Sequence, residues 1–316
     1  MKGISIVRLA CAVGLAGTAA SAFAWPKGTP QPNRWELPPA SEPVRAEAKA
    51  AKARLGSTVT IRCLAGHRGD SEAAPENTVP AFKAAAEKNF SFETDLYMTL
   101  DGVVYVTHDY NLAWRHGGVN KLATNATWKG ELEFADAGQW KGKQWKGTKY
   151  PTIDDLLTFV ADGRFVILEI KDPRKGLILP KIKEAFARHP NVKPSNVYFQ
   201  GAGSDWLDRN LPGYQDIACA LSRKKPEIDS EPRDLMTLVK KTDPKRVPVW
   251  SFRWDEDVIS RELVELAHSR GMKIFVWTVN DAASAWAALG RGVDCVLTDR
   301  PTTLWRDMQA YSVPVL

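Results

Sequence analysis

Three carboxylates stand out by their spacing. Glu93 and Asp95 lie at i, i+2 in an apolar run, and Glu169 lies in a later one. Alternation along a strand puts Glu93 and Asp95 on one face. Glu169 shares a face with Lys171, interleaved with Leu168 and Ile170. Carboxylates gathered in an interior repel one another and lose hydration, a heavy cost if they are unpaired. A hard divalent cation with oxygen ligands would neutralise them; so would ion pairs with Arg62 or Lys171. His67 and His108, two of five histidines, end apolar runs beside glycine or acid. Imidazole suits proton transfer near neutral pH, although packed or surface histidines are the commoner case, the reading that fits His116, His189 and His268. Arg68, next to His67, has the geometry to grip two oxygens of a phosphate. Glu76-Asn77-Thr78 precedes a helical pattern that Asn77 or Thr78 would cap.

These residues need elements that bring them together. Apolar, strand-like runs occur at Ile61–Ala65, Phe90–Tyr97, Phe165–Ile170, Asn196–Phe199, Ile217–Leu221, Val247–Phe252, Lys273–Val279 and Cys295–Thr298. Helical patterns lie between them, at Val79–Lys88, Ile153–Val160, Pro180–His189, Asp205–Asn210, Leu235–Lys240, Ser260–Arg270, Ala282–Leu289 and Thr302–Met308. Strand–helix alternation predicts a parallel sheet, and eight repeats of it predict a TIM (β/α)8 barrel. An open doubly wound sheet lacks its glycine fingerprint after the first run. Barrel sites sit at the C-terminal ends of the strands, where Glu93, Asp95, Glu169 and His67 fall. Asp101-Gly102 turns the second strand into a hairpin with Val103–Val106. An insertion of about residues 107–150 follows.

The 316 residues are 44% hydrophobic and 25% charged, enough for one large core. Residues 1–24 read as an export signal: Lys2 and Arg8, an apolar run from Leu9 to Ala20, and a small-residue cleavage site at Ala22-Phe23-Ala24. The run is too short for a membrane span. Cleavage would lower the formal charge from +6 to +4, mild enough to give no indication of nucleic acid while still drawing anions. The expected location is periplasmic or secreted. Residues 25–58 form a proline-rich leader and a helix from Ser41 to Leu55, which would close the barrel bottom or serve as a linker; residues 59–316 form the barrel domain. Cys63, Cys219 and Cys295 are expected as buried thiols.

Taken in order, His67-Arg68-Gly69, Pro75-Glu76-Asn77-Thr78, Glu93-Thr94-Asp95, Thr99-Leu100-Asp101-Gly102 and His108-Asp109 resemble the motif series of glycerophosphodiester phosphodiesterases. Leu168-Glu169-Ile170-Lys171, Phe275-Val276-Trp277-Thr278-Val279-Asn280 and the segment Asp294 to Pro301 extend the likeness over roughly residues 60–302. The resemblance implies Ca2+ or Mg2+ on Glu93, Asp95 and Glu169, and an acid–base pair of His67 and His108. It implies phosphate contacts from Arg68 and Lys171, Trp277 lining the alcohol pocket, Glu76 near the metal or a histidine, and Asn77 supporting His67. The expected reaction releases sn-glycerol 3-phosphate and an alcohol from a small-molecule or lipid-derived diester. The alternatives are a phospholipase D-like enzyme acting on lysophospholipids or sphingomyelin, and a non-catalytic diester-binding protein. The sequence departs from the pattern after Asp109 and at Gln200-Gly201-Ala202-Gly203, both near the mouth.

Residues 110–150 hold Trp114, Trp128, Trp140 and Trp145 among seven Lys/Arg and three acids. Such a segment would face an anionic membrane surface or would pack its tryptophans into a small core of its own.

Overall fold

The computed structural model describes residues 40–114, 119–220 and 235–312. The export signal, the leader up to residue 39 and the end of the expected fifth strand run at Leu221 lie outside them. The strands β1 (Leu64–His67), β2 (Ser91–Met98), β4 (Val166–Ile170), β5 (Val197–Gln200), β6 (Gln215–Ala220), β7 (Val249–Arg253), β8 (Lys273–Trp277) and β9 (Cys295–Thr298) pair in parallel in that order. β1 bonds to both β2 and β9, which closes the barrel. β3 (Val104–Val106) is antiparallel to β2, as the Asp101-Gly102 turn requires. The TIM barrel read from the alternating pattern is present.

Strand alternation sorts the residues into layers. Ala65, Ile167, Ile217, Val249, Phe275, Cys295 and Leu297 form one apolar cluster, with Trp277 packed against it. Two residues further along their strands come His67, Glu169 and Trp277, and just past β9, Asp299. The polar site therefore sits directly on an apolar plug. A larger core of the outward faces and the helices surrounds the barrel. A third cluster, with Tyr97, Tyr105, Leu112, Leu132 and Tyr150 as its large members, lies under the insertion, and Trp128 packs against it.

Several boundaries differ from the sequence reading. Residues Ile61–Cys63 form a 3₁₀ turn, and β1 starts only at Leu64. The ladders explain this, since β9 offers partners from Cys295 onward and β2 from Ser91. Helix α4 (Lys175–Arg188) begins five residues before Pro180 and runs through it. Burial of Ile178, Leu179 and Ile182 on its inner face offsets the missing hydrogen bond. The N-terminal helix α1 (Glu42–Leu55) is capped by Ser41 as expected, but it neither plugs the barrel nor hangs free. It lies against α8 (Ala282–Arg291), where Glu47 pairs with Arg291 at 2.7 Å. Gly290 permits the approach, because a Cβ there would stand 2.6 Å from the Ala51 methyl. Of the three thiols, Cys295 is buried and Cys63 and Cys219 are half-buried; none is in a disulfide.

The Gly201-Ala202-Gly203 departure has a structural explanation. All three backbone N–H groups donate to the Asp216 carboxylate, at 3.0, 3.2 and 2.8 Å. Burial nevertheless pushes Asp216 up from 3.8 to about 6, against the pull of those donors. A raised acid favours the folded state fully below its unfolded value, and that contribution is lost as pH rises through the folded value. Asp216→Asn should therefore flatten the fall in thermal midpoint between about pH 4 and pH 6. Parallel midpoint curves for the two proteins over this interval would refute the assignment.

Candidate active site

The loop after β1 builds one wall. Arg68 and Asn77 both adopt positive φ, 62° and 56°, a conformation uncommon for residues with a Cβ and more so for arginine than for asparagine. The Asn77 N–H donates to the Arg68 carbonyl at 3.0 Å and closes the loop. Gly69 has φ 84°, and a Cβ there would fall within 2.9 Å of Ala81, so His67-Arg68-Gly69 folds tightly against the helix α2 (Val79–Ala86).

His67 ends β1 with Nδ1 2.7 Å from Asp299 Oδ1 and Nε2 3.9 Å from Glu93 Oε2. Asn280 Nδ2 donates to Asp299 Oδ2 at 2.8 Å, and Asn280 Oδ1 accepts from Thr298 Oγ1 and the Asp299 N–H, each at 2.9 Å. The ring is thereby oriented, with Nε2 free to face the site. Burial raises Asp299, but the His67 and Asn280 contacts outweigh it and hold the carboxyl below its ordinary range. His108, just past β3, places Nδ1 3.0 Å from Asp109 Oδ1.

Glu93, Asp95 and Glu169 do converge, each with a carboxylate oxygen within 4.8 Å of the others. Lys171 Nζ lies 3.0 Å from Glu169 and 3.4 Å from Asp95. Arg68 donates its backbone N–H to Glu93 at 3.1 Å, and its side chain reaches Glu76 at 2.6 Å and Asp95 at 3.5 Å. Arg62 is not part of the cluster; it lies beside Gly163 at the other end of the barrel. Two side-chain cations thus face four carboxylates. Burial, then Asp95 and Glu169, push Glu93 well above its usual range. Burial also raises Asp95, but Lys171, His108 and Arg68 outweigh it and hold it low. Lys171 stays firmly protonated, since the surrounding acids overcome its desolvation. Glu93 Oε1 is buried and has no hydrogen-bond partner. An orphaned carboxylate oxygen, hard donors only and residual negative charge together fit a hard divalent cation.

One expected role is corrected by the geometry. Asn77 does not touch His67; its Nδ2 donates to Asp95 Oδ2 at 2.7 Å, and its Oδ1 accepts from Thr94 at 2.8 Å. Glu76 accepts from the Arg68 guanidinium at 2.6 Å and lines a cavity with His108. Trp277 ends β8 with a buried Nε1–H that has no acceptor. Asp299 and Asn280 received no role from the sequence, although both stand inside the quoted motifs. A carboxylate one residue past the last strand, level with a histidine ending the first, was the available signal.

The insertion is fixed as a wall. Asp101 accepts from the Trp128 and Lys129 N–H groups at 2.7 and 3.0 Å, Arg174 donates to the Thr124 carbonyl at 3.1 Å, and Lys141 donates to the Ser71 carbonyl at 2.6 Å. Trp140 lines a cavity together with Glu76, Asn77, His108 and Tyr150.

A closed barrel carrying carboxylates, two cations and two carboxylate-backed imidazoles at its mouth defines a barrel hydrolase for anionic esters. The sequence profile of the glycerophosphoryl diester phosphodiesterase family matches residues 67–303, and the chain belongs to that family. A glycerophosphodiester phosphodiesterase of Caldanaerobacter subterraneus subsp. tengcongensis is 29% identical over 242 residues, covering 75% of this chain and 94% of its own. A lysophospholipase D of Homo sapiens is 24% identical over 300 residues, with coverage of 78% and 85%. Among solved structures, an Oleispira antarctica phosphodiesterase in complex with the product sn-glycerol-3-phosphate superposes with a TM-score of 0.65 at 20% identity, over 78% of this chain and 96% of that one.

Proposed function

We propose that the chain is exported, with residues 1–24 removed, and hydrolyses glycerophosphodiesters to sn-glycerol 3-phosphate and an alcohol in a metal-dependent reaction. The observation that carries this reading is the His67 ring, anchored through Nδ1 on Asp299 with Nε2 toward Glu93. Glu93, Asp95 and Glu169 would hold Ca2+ or Mg2+, which supplies positive charge for the phosphoryl oxygens as negative charge builds on them. Arg68 and Lys171 mask the charge of the diester so that an oxygen nucleophile can approach. One histidine takes the proton from the nucleophilic hydroxyl, and the other gives a proton to the departing alkoxide. Trp277 would line the pocket for the alcohol, and Trp140 bounds the space beside His108.

The test is release of sn-glycerol 3-phosphate from glycerophosphocholine with Mg2+ or Ca2+ present. No product with either ion would overturn the reading. Faster release of choline from lysophosphatidylcholine would favour the phospholipase D-like alternative, which the human relative supports. Sequencing the N-terminus of protein recovered from the periplasm or medium tests export, with Trp25 as the expected first residue.

A further inference from the structure

The exposed apolar side chains gather at one end of the protein. Among the described residues, the large hydrophobics that are a third or more exposed include Leu100 in the β2–β3 turn and Tyr110, Leu122, Phe134 and Trp140 on the insertion. The others, Val79 and Leu177, stand in the first turns of α2 and α4, where those helices leave the mouth. Scattered single residues of this kind are ordinary on a soluble surface, but their gathering on the face that admits substrate marks an interaction surface.

Charge is arranged to match. Lys121, Lys129, Lys143, Lys146 and Lys149 are exposed. The insertion's acids are turned inward on the segment itself: Asp136 accepts from the N–H groups of Gly138, Gln139 and Gly147, Glu133 from Gly130, and Glu131 from Thr127 and from Lys121, which leaves Lys129, Lys143, Lys146 and Lys149 as the exposed cations of this face in no ion pair with these acids. Lys149 Nζ sits 5.8 Å from the centre of the Phe134 ring, which is itself 71% exposed. Aromatic tips flanked by lysines suit the boundary between headgroups and acyl chains of an anionic bilayer.

We propose that this face docks the protein, mouth toward the membrane, on an anionic lipid bilayer. The proposal rests on the reading above that the substrates are glycerophosphodiesters, the class that deacylated membrane lipids supply, and it adds where they are met. A soluble polyanion would need the lysines but not Phe134 or Leu100, which is why the bilayer is favoured.

The experiment is co-sedimentation of the full chain with vesicles of phosphatidylcholine, with and without phosphatidylglycerol. Binding is expected only with phosphatidylglycerol, and it should fall with salt. The variant Phe134→Ser/Lys146→Glu/Lys149→Glu should bind roughly tenfold more weakly or worse, while hydrolysing water-soluble glycerophosphocholine at the wild-type rate, which reports intact folding. Equal recovery with both vesicle types would overturn the proposal, as would undiminished binding by Phe134→Ser alone, since that result assigns the surface to polyanions. Vesicle binding without hydrolysis of any diester would instead sink the functional reading and leave docking standing.

Discussion

Replacing His67 by glutamine is expected to lower kcat by about 10²–10⁴-fold with little change in KM. The ring's place explains the size. Asp299 holds Nδ1 at 2.7 Å, so the atom left to transfer a proton under this proposal is Nε2, aimed toward the carboxylate cluster. Asp299→Asn should also reduce kcat strongly, because an amide can donate to Nδ1 and so favour the tautomer with the wrong nitrogen protonated. Asn280→Ala removes only the outer contact of Asp299 and should cost less. The two histidines separate by leaving group. A 4-nitrophenolate departs without a proton, so the variant whose loss shrinks on a 4-nitrophenyl ester has lost the acid. His67→Gln within threefold of wild type on glycerophosphocholine would remove His67 from the reaction.

The second large effect concerns the acids. Exhaustive chelation should abolish activity, and added Mg2+ or Ca2+ should restore it. A cation at about a hundred times its Kd stabilises the folded state by about 2.7 kcal/mol, or on the order of 5–10 °C in thermal midpoint for a domain of this size. Glu93→Gln should show the opposite pattern to most site substitutions. Without metal it relieves a buried carboxylate crowded by Asp95 and Glu169, so its metal-free midpoint should exceed that of the metal-free wild type. Its midpoint should respond little to the cation, and its turnover should be lost. A wild-type midpoint indifferent to chelator and to both ions would count against a cation on Glu93, Asp95 and Glu169.

The parts of this site that the sequence displayed are those encoded locally. The i, i+2 spacing of Glu93 and Asp95 states a shared face wherever the strand runs, and Glu169 with Lys171 does the same. Asp101-Gly102 states a hairpin. What stayed hidden depends on partners distant along the chain. Nothing near His67 announces Asp299, because their meeting requires β9 to close beside β1. Asn77 looked like a helix cap or a support for His67, yet it donates to Asp95, a choice set by how the α2 loop folds over β2. Glu76 anchors the Arg68 guanidinium, a partner eight residues away that no local pattern announces. Pro180 looked like a helix start because its local preference points that way; tertiary packing of Ile178 and Leu179 carried the helix past it. Of the insertion's tryptophans, Trp128 packs against the small core under the insertion, as one expectation has it, while Trp140 is 39% exposed beside the cavity.

His67 lies on the first barrel strand, and the carboxylate that orients it follows the last one. Ribosomal synthesis therefore delivers the dyad in two instalments, far apart in time. A nascent chain released anywhere before Asp299 carries an imidazole without its partner, however well its early βα units have formed. If His67 acts as proposed, activity doubles as a gauge of completion: a polypeptide ending before Asp299 is expected to cleave diester far more slowly than one in which the ring has shut.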